Sequence, residues 1–291
     1  MKHQKPDYTD FLANNVITPF YEKRLAALKK LTLDDVLKKK NPYLVKAKNI
    51  EIAGDFVKTI VDAFLSSQEE GIFGNLLEGF AIHISHNLYG GFKSAYKSVD
   101  LEFEQDGKYY IVGIKSSANW GNSDQVNQMR SNFKKAKAHL REAGMTREIV
   151  AVNGCMYGKD ANPLKNMRRT KHEGKMIDVE IEADKVYQKL AGQDFWHFIS
   201  GDDELYQDII KPIDEQARTR SEAFKAVYTA KINEMTQAFV ENYMTADNQI
   251  DWIKIIDVVS KRAAPKQESK KQVSRKQAAK KQTKKSKDRI G

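Results

Sequence analysis

Asp100 and Lys115 are the residues whose types and spacing could do chemistry. They lie on the two arms of SVDLEFEQDGKYYIVGIKSS, residues 98–117. VDLEFE alternates, with Val99, Leu101 and Phe103 on one face and Asp100, Glu102 and Glu104 on the other. Asp106–Gly107 is a two-residue hairpin turn signal, and the turn fixes the register. Counting back pairs Gln105 with Lys108, Leu101 with Val112 and Asp100 with Gly113. Lys115 then lies on the diagonal from Asp100, on the same face, and Glu102 is diagonal to Gly113 from the other side. A carboxylate and an ammonium so placed can hold a hydrated Mg²⁺ and orient a water against a phosphate. The plain alternative is a solvated hairpin face with an ordinary cross-strand ion pair.

The neighbouring residues are of types that bind nucleic acid. SSANWGNSDQ follows Lys115 and contains Ser116, Asn119, Trp120, Asn122, Ser123 and Gln125. Their hydroxyl and amide groups are donors for phosphates and base edges. Ser123 also reads as the cap of a helix. Further on, Arg168, Arg169, Lys171 and Lys175 form a basic stretch, RRTKHEGK, expected as a loop, either solvated or reading DNA. His83 and His86 are expected as surface or partly buried histidines, and Phe195, Trp196 and Phe198 as core. No glycine-rich phosphate loop and no Ser/His/Asp arrangement occurs.

These side chains need a frame. Apolar spacing predicts helices over 18–40, 55–67 and 73–87, the last stopped by Gly90–Gly91. Phe73, Leu76, Leu77, Phe80, Ile84 and Leu88 form its expected buried stripe. Another helix is expected over 123–142, ended by Gly144. Strands are expected over 148–156 and 175–181, the latter followed by short helices. A helical region over 203–243 is expected to break at Pro212. The order implies an α/β (mixed α+β) domain, a mixed sheet flanked by helices with helical N- and C-terminal additions.

Hydrophobic residues make up 41% of the 291, enough for a sizeable core. The single cysteine, Cys155, excludes an internal disulfide and a cysteine-based zinc site. No signal-peptide shape or membrane-length apolar run is present, which predicts a cytoplasmic protein with no membrane association. Net charge is +10, but residues 261–291 hold 13 Lys plus Arg against two acids. The body, 1–260, is therefore near neutral. The Lys-rich tail, 261–291, is expected to be disordered and to hold nucleic acid through its charge.

Val99–Asp100, the hairpin and Gly113-Ile114-Lys115 together resemble the PD-(D/E)XK nuclease superfamily. GIFGNLLEGFAIHI, VGIKSSANWGNSDQ, VNGCMYGK and GQDFWHFISGD are similar to its type II restriction endonucleases, over about 41–212. The resemblance implies a restriction-endonuclease-like core that cuts double-stranded DNA. It implies Asp100 as metal ligand, the Ile114 carbonyl as main-chain metal ligand, and Lys115 as the group that positions water and stabilises the phosphorane. Glu78 matches the helix acid that many of these nucleases place beside the metal. It also implies Mg²⁺, a homodimer for a palindromic site, and a cognate DNA methyltransferase. Gly113 stands where the family usually has an acid. Either Glu78 or Glu102 replaces it, or Asp100, the Ile114 carbonyl and waters suffice, or the chain is a catalytically inactive DNA-binding protein. A DNA repair or junction nuclease is a further alternative.

Overall fold

The computed structural model describes residues 7–172 and 175–262. A helical run opens them: α1 (Thr9–Phe11), a π-helical stretch (Leu12–Ile17) and α2 (Thr18–Lys30). The helix expected over 18–40 is two, because Leu31 and Thr32 are extended before α3 (Leu33–Lys39). The Thr32 hydroxyl caps α3 by accepting from the Asp35 N–H, and Asn41 caps α4 (Pro42–Ala47).

The helices expected over 55–67 and 73–87 are one, the 37-residue α5 (Ala53–Tyr89). Its interior glycines each cost about 1 kcal/mol relative to alanine. Burial at both ends outweighs that cost. Phe56, Ile60, Val61 and Phe64 pack into an all-helical core with α2, α3, α9 (Ile210–Tyr243) and α10 (Trp252–Ser260). Phe80 and Ile84, at the other end, pack on the sheet. Phe73, Leu76 and Leu77 are partly buried there, whereas Leu88 is exposed and drops out of the expected stripe. Gly90, at φ 67°, ends the helix as expected.

The main sheet has the order β1-β2-β3-β4-β8-β5. It comprises β1 (Phe92–Lys93), β2 (Leu101–Gln105), β3 (Lys108–Ser117), β4 (Glu148–Tyr157), β5 (Leu164–Lys165) and β8 (Tyr187–Ala191). β3, β4 and β8 run parallel, with antiparallel strands at both edges. One face packs on α5 and on α7 (Gln193–Ser200) through Phe80, Val112, Ile114, Phe195 and Trp196. The other packs on α6 (Ser123–Glu142) through Ile111, Met129, Phe133 and Ala151. Each such side chain contributes about 1.5–3 kcal/mol by leaving water. The fold is therefore the expected mixed sheet flanked by helices.

Three expected features differ. Residues 187–191, read as part of short helices, are the strand β8, whose central position is decided by pairing with β4. The strand expected over 175–181 is β7 (Lys175–Glu180), but it pairs with β6 (Met167–His172) in a separate two-stranded sheet. The interruption expected at Pro212 falls three residues earlier, at Ile209, and Pro212 stands in the first turn of α9, where a missing N–H costs nothing. Between α7 and α9 lies α8 (Leu205–Asp208). No helix among the described residues is long and apolar enough to cross a membrane. The expected disordered tail falls, from residue 263 onward, outside the described residues.

Candidate active site

The β2–β3 hairpin turns at Asp106 (φ 50°) and Gly107 (φ 76°), the left-handed pair that a two-residue turn of this kind requires. Five pairs follow the counted register, from Gln105↔Lys108 to Leu101↔Val112. At Asp100 the ladder changes. The Asp100 N–H donates to the Val112 carbonyl at 2.8 Å, and the Asp100 carboxylate accepts from the Ile114 N–H at 2.7 Å. A side chain has taken the place of a main-chain acceptor, and this draws the carboxylate to the end of β3.

Lys115 completes the arrangement. Its ammonium donates to the Ile114 carbonyl at 2.8 Å and lies 3.6 Å from Asp100 Oδ2. The Trp120 ring is beside it, with the centroid 5.5 Å from Nζ. Trp120 is held by its indole N–H, which donates to Asn153 Oδ1 at 2.8 Å. Asn153 is buried on β4, at the register position beside Gly113. The structure thus brings together Asp100, the Ile114 carbonyl and Lys115, and adds Trp120 and Asn153 behind them.

Gly113 has no room for a side chain. A Cβ on it would stand 2.6 Å from the Ser98 carbonyl oxygen and 3.3 Å from the Phe133 ring. Ser98 is held in a left-handed conformation (φ 63°). Its hydroxyl accepts from the buried Asn132 amide at 2.7 Å. This filling leaves no space beside Gly113 for a carboxylate to reach across. Glu102 points instead into the core beneath α6, only 3% exposed. There it accepts from the Tyr109 hydroxyl at 2.8 Å, across the diagonal of the hairpin. A buried carboxylate needs such a donor. Glu102 makes no hydrogen bond or ion pair with Asp100 or Lys115 among the described residues. Burial, and then the bond to Glu102, hold the Tyr109 phenol well above its ordinary range.

Glu78 is on α5, mostly buried, and pairs with Lys93 at 3.3 Å. Lys93 lies across from Leu101, the neighbour of Asp100. One turn earlier on α5, a Cβ on Gly74 would meet Ser116 Oγ at 2.7 Å, so the helix lies directly on the end of β3. Ser116 therefore faces the helix.

The other expected DNA contacts divide. Asn122, not Ser123, is the cap of α6. Its side chain accepts from the Asp124 and Gln125 N–H groups, and Gln125 returns a bond to the Asn122 N–H. Ser123 is the first helical residue and is exposed, as is Asn119. Arg168, Arg169 and Lys171 are on strand β6 and not in a loop, because the stretch pairs residue by residue with β7. Arg168 and Arg169 share a cleft of about 530 Å³ with Asn122 and Ser123.

Asp100 and the Ile114 carbonyl are hard oxygen donors of the kind Mg²⁺ takes, and both face the Lys115 ammonium. Among the described residues no cluster of three or more His, Cys, Asp and Glu side chains forms a metal cage.

A comparison with protein families matches residues 8–221 to the type II restriction endonuclease EcoO109I family. The chain belongs to that family. Among curated proteins none matches. The chain is thus a type II restriction nuclease, a hydrolase whose substrate is DNA. Asn153 was legible as the one polar residue in the apolar run VAVNGCM, whereas Ser98 and Asn132 carried no comparable signal.

Proposed function

We propose that this restriction endonuclease hydrolyses phosphodiester bonds in both strands of a short duplex DNA site with Mg²⁺ as cofactor. The observation that carries the reading is the Lys115 ammonium, in contact with both the Ile114 carbonyl and the Asp100 carboxylate. Asp100 and the Ile114 carbonyl would hold the metal, with Glu78 on α5 as the additional acid. When bound, Mg²⁺ neutralises charge on the phosphoryl oxygens and eases deprotonation of a water. Lys115 donates to a phosphoryl oxygen and orients the attacking water, and Trp120 and Asn153 fix its direction. Asn119, Asn122, Ser123, Arg168, Arg169 and Lys171 contact the duplex. A palindromic site calls for two such centres, hence a homodimer in the cytoplasm beside a methyltransferase that protects host DNA.

One observation favours a second reading, a DNA-binding protein that no longer cuts. The Ser98 carbonyl stands where the family's second acid would begin. Digestion of a mixed-sequence phage DNA with purified protein and Mg²⁺ separates the two. Discrete fragments that disappear with Asp100→Ala support the nuclease. Intact DNA with both Mg²⁺ and Mn²⁺, together with retained sequence-selective binding, overturns it in favour of the binder.

A further inference from the structure

We infer that Arg130 is a specificity-determining residue that reads a guanine edge of the duplex. This rests on the proposed action on duplex DNA. A cleft between β6 and the start of α6 is lined by three arginines, Arg130, Arg168 and Arg169, with Asp178 across the hairpin from Arg169 and Glu180 and Glu182 lining the adjoining cleft that Arg130 and Arg168 share. None of the three makes an ion pair among the described residues. Three guanidinium groups facing one cleft, none of them held in an ion pair, are available to an electron-rich partner. Just beyond β7 the chain is tied to α6 by the Lys134–Glu182 and Arg141–Asp184 ion pairs.

The arginines differ in a way that divides their tasks. Arg168 and Arg169 are exposed on a strand, free to follow a phosphate backbone. Arg130 is half-buried on α6, its guanidinium carbon 5.6 Å from the Tyr187 ring centroid. Its Nη1 lies 3.5 Å from Asn127 Oδ1, one turn back on the same helix face. A planar fork whose orientation is already set loses little freedom on binding, and its two parallel N–H groups match O6 and N7 of guanine. Asn127 lines the same cleft and supplies an amide for a neighbouring base.

The test uses the full chain carrying Asp100→Ala, so that DNA is bound without being cut. A randomised 20-base-pair duplex pool is selected in Mg²⁺, and the bound fraction is sequenced. A fixed guanine is expected in the selected site. Replacing it with 7-deazaguanine is expected to weaken binding about 5- to 150-fold. Adding Arg130→Gln is expected to abolish both the preference and the 7-deazaguanine effect, with the salt dependence of binding unchanged. The modified base probes the contact in the DNA, so the inference stays testable if the protein variant is unstable. Full tolerance of 7-deazaguanine overturns it. So does a uniform loss with Arg130→Gln in which the salt slope falls by about one, the mark of a phosphate contact. Failure to select any sequence also overturns it. Selection without fragments in the phage digest would instead defeat only the nuclease reading.

Discussion

The carbonyl oxygen of Ser98 lies 2.6 Å from the point where a Cβ on Gly113 would stand. Main-chain atoms fill the position from which this superfamily's second acid usually extends. Glycine here is a steric requirement, with Ser98 held in place by Asn132. Gly113→Ala should therefore destabilise the protein by about 1–3 kcal/mol through overpacking. Gly113→Glu should lose cleavage and not gain it. Thermal melting and phage digestion of both variants check this. A more active Gly113→Glu enzyme would show that Ser98 yields easily.

The two candidate replacement acids should behave differently. Glu102 is spent on Tyr109 in the core, so Glu102→Gln, which keeps an acceptor, should leave the cleavage rate within about three-fold. Glu78→Ala should reduce it about as much as Asp100→Ala. Single-turnover rates decide the matter, and equal tolerance at both positions would leave Asp100 as the only working carboxylate.

Lys115→Ala should slow cleavage by about 10²–10³-fold, the usual cost of removing one aimed donor from a charged transition state. DNA affinity, measured by fluorescence anisotropy, should change far less. A loss below ten-fold in single-turnover rate would remove Lys115 from the chemistry.

Trp120→Phe should cost about 1–3 kcal/mol of stability, because the Asn153 amide oxygen loses its donor inside the fold. It should also slow cleavage, since the Lys115 ammonium loses its indole neighbour. Denaturant midpoints for Trp120→Phe, Asn153→Ala and the double variant test the pairing. Additive losses would mean the two residues act separately.

Burial pushes the Cys155 thiol up to about 11. A raised folded value favours the neutral thiol. The associated stability is complete below the unfolded value of about 8.5 and is lost as pH rises toward 11. Alkylation by iodoacetamide at pH 8 should accordingly be about 10²-fold slower in the native protein than in urea. Equal rates would place Cys155 at the surface.

Local sequence was enough for the hairpin. Asp106–Gly107 sets the turn, the turn sets the register, and alternation sets the faces, all within about ten residues. The end of α5 at Gly90 and the α6 boundaries were legible for the same reason: caps and stops act on their immediate neighbours. Long-range packing decided the rest. Only tertiary burial joins α5 across its glycines, and only pairing with β4 makes residues 187–191 a strand. The register alone put Glu102 near Asp100, yet the core beneath α6 and the Tyr109 hydroxyl claimed it. Asp100 and Lys115 were visible as a pair because a hairpin brings them together. The filling of Gly113 by Ser98, and the indole that steadies Lys115, depend on a chain reversal and a neighbouring strand that spacing does not encode.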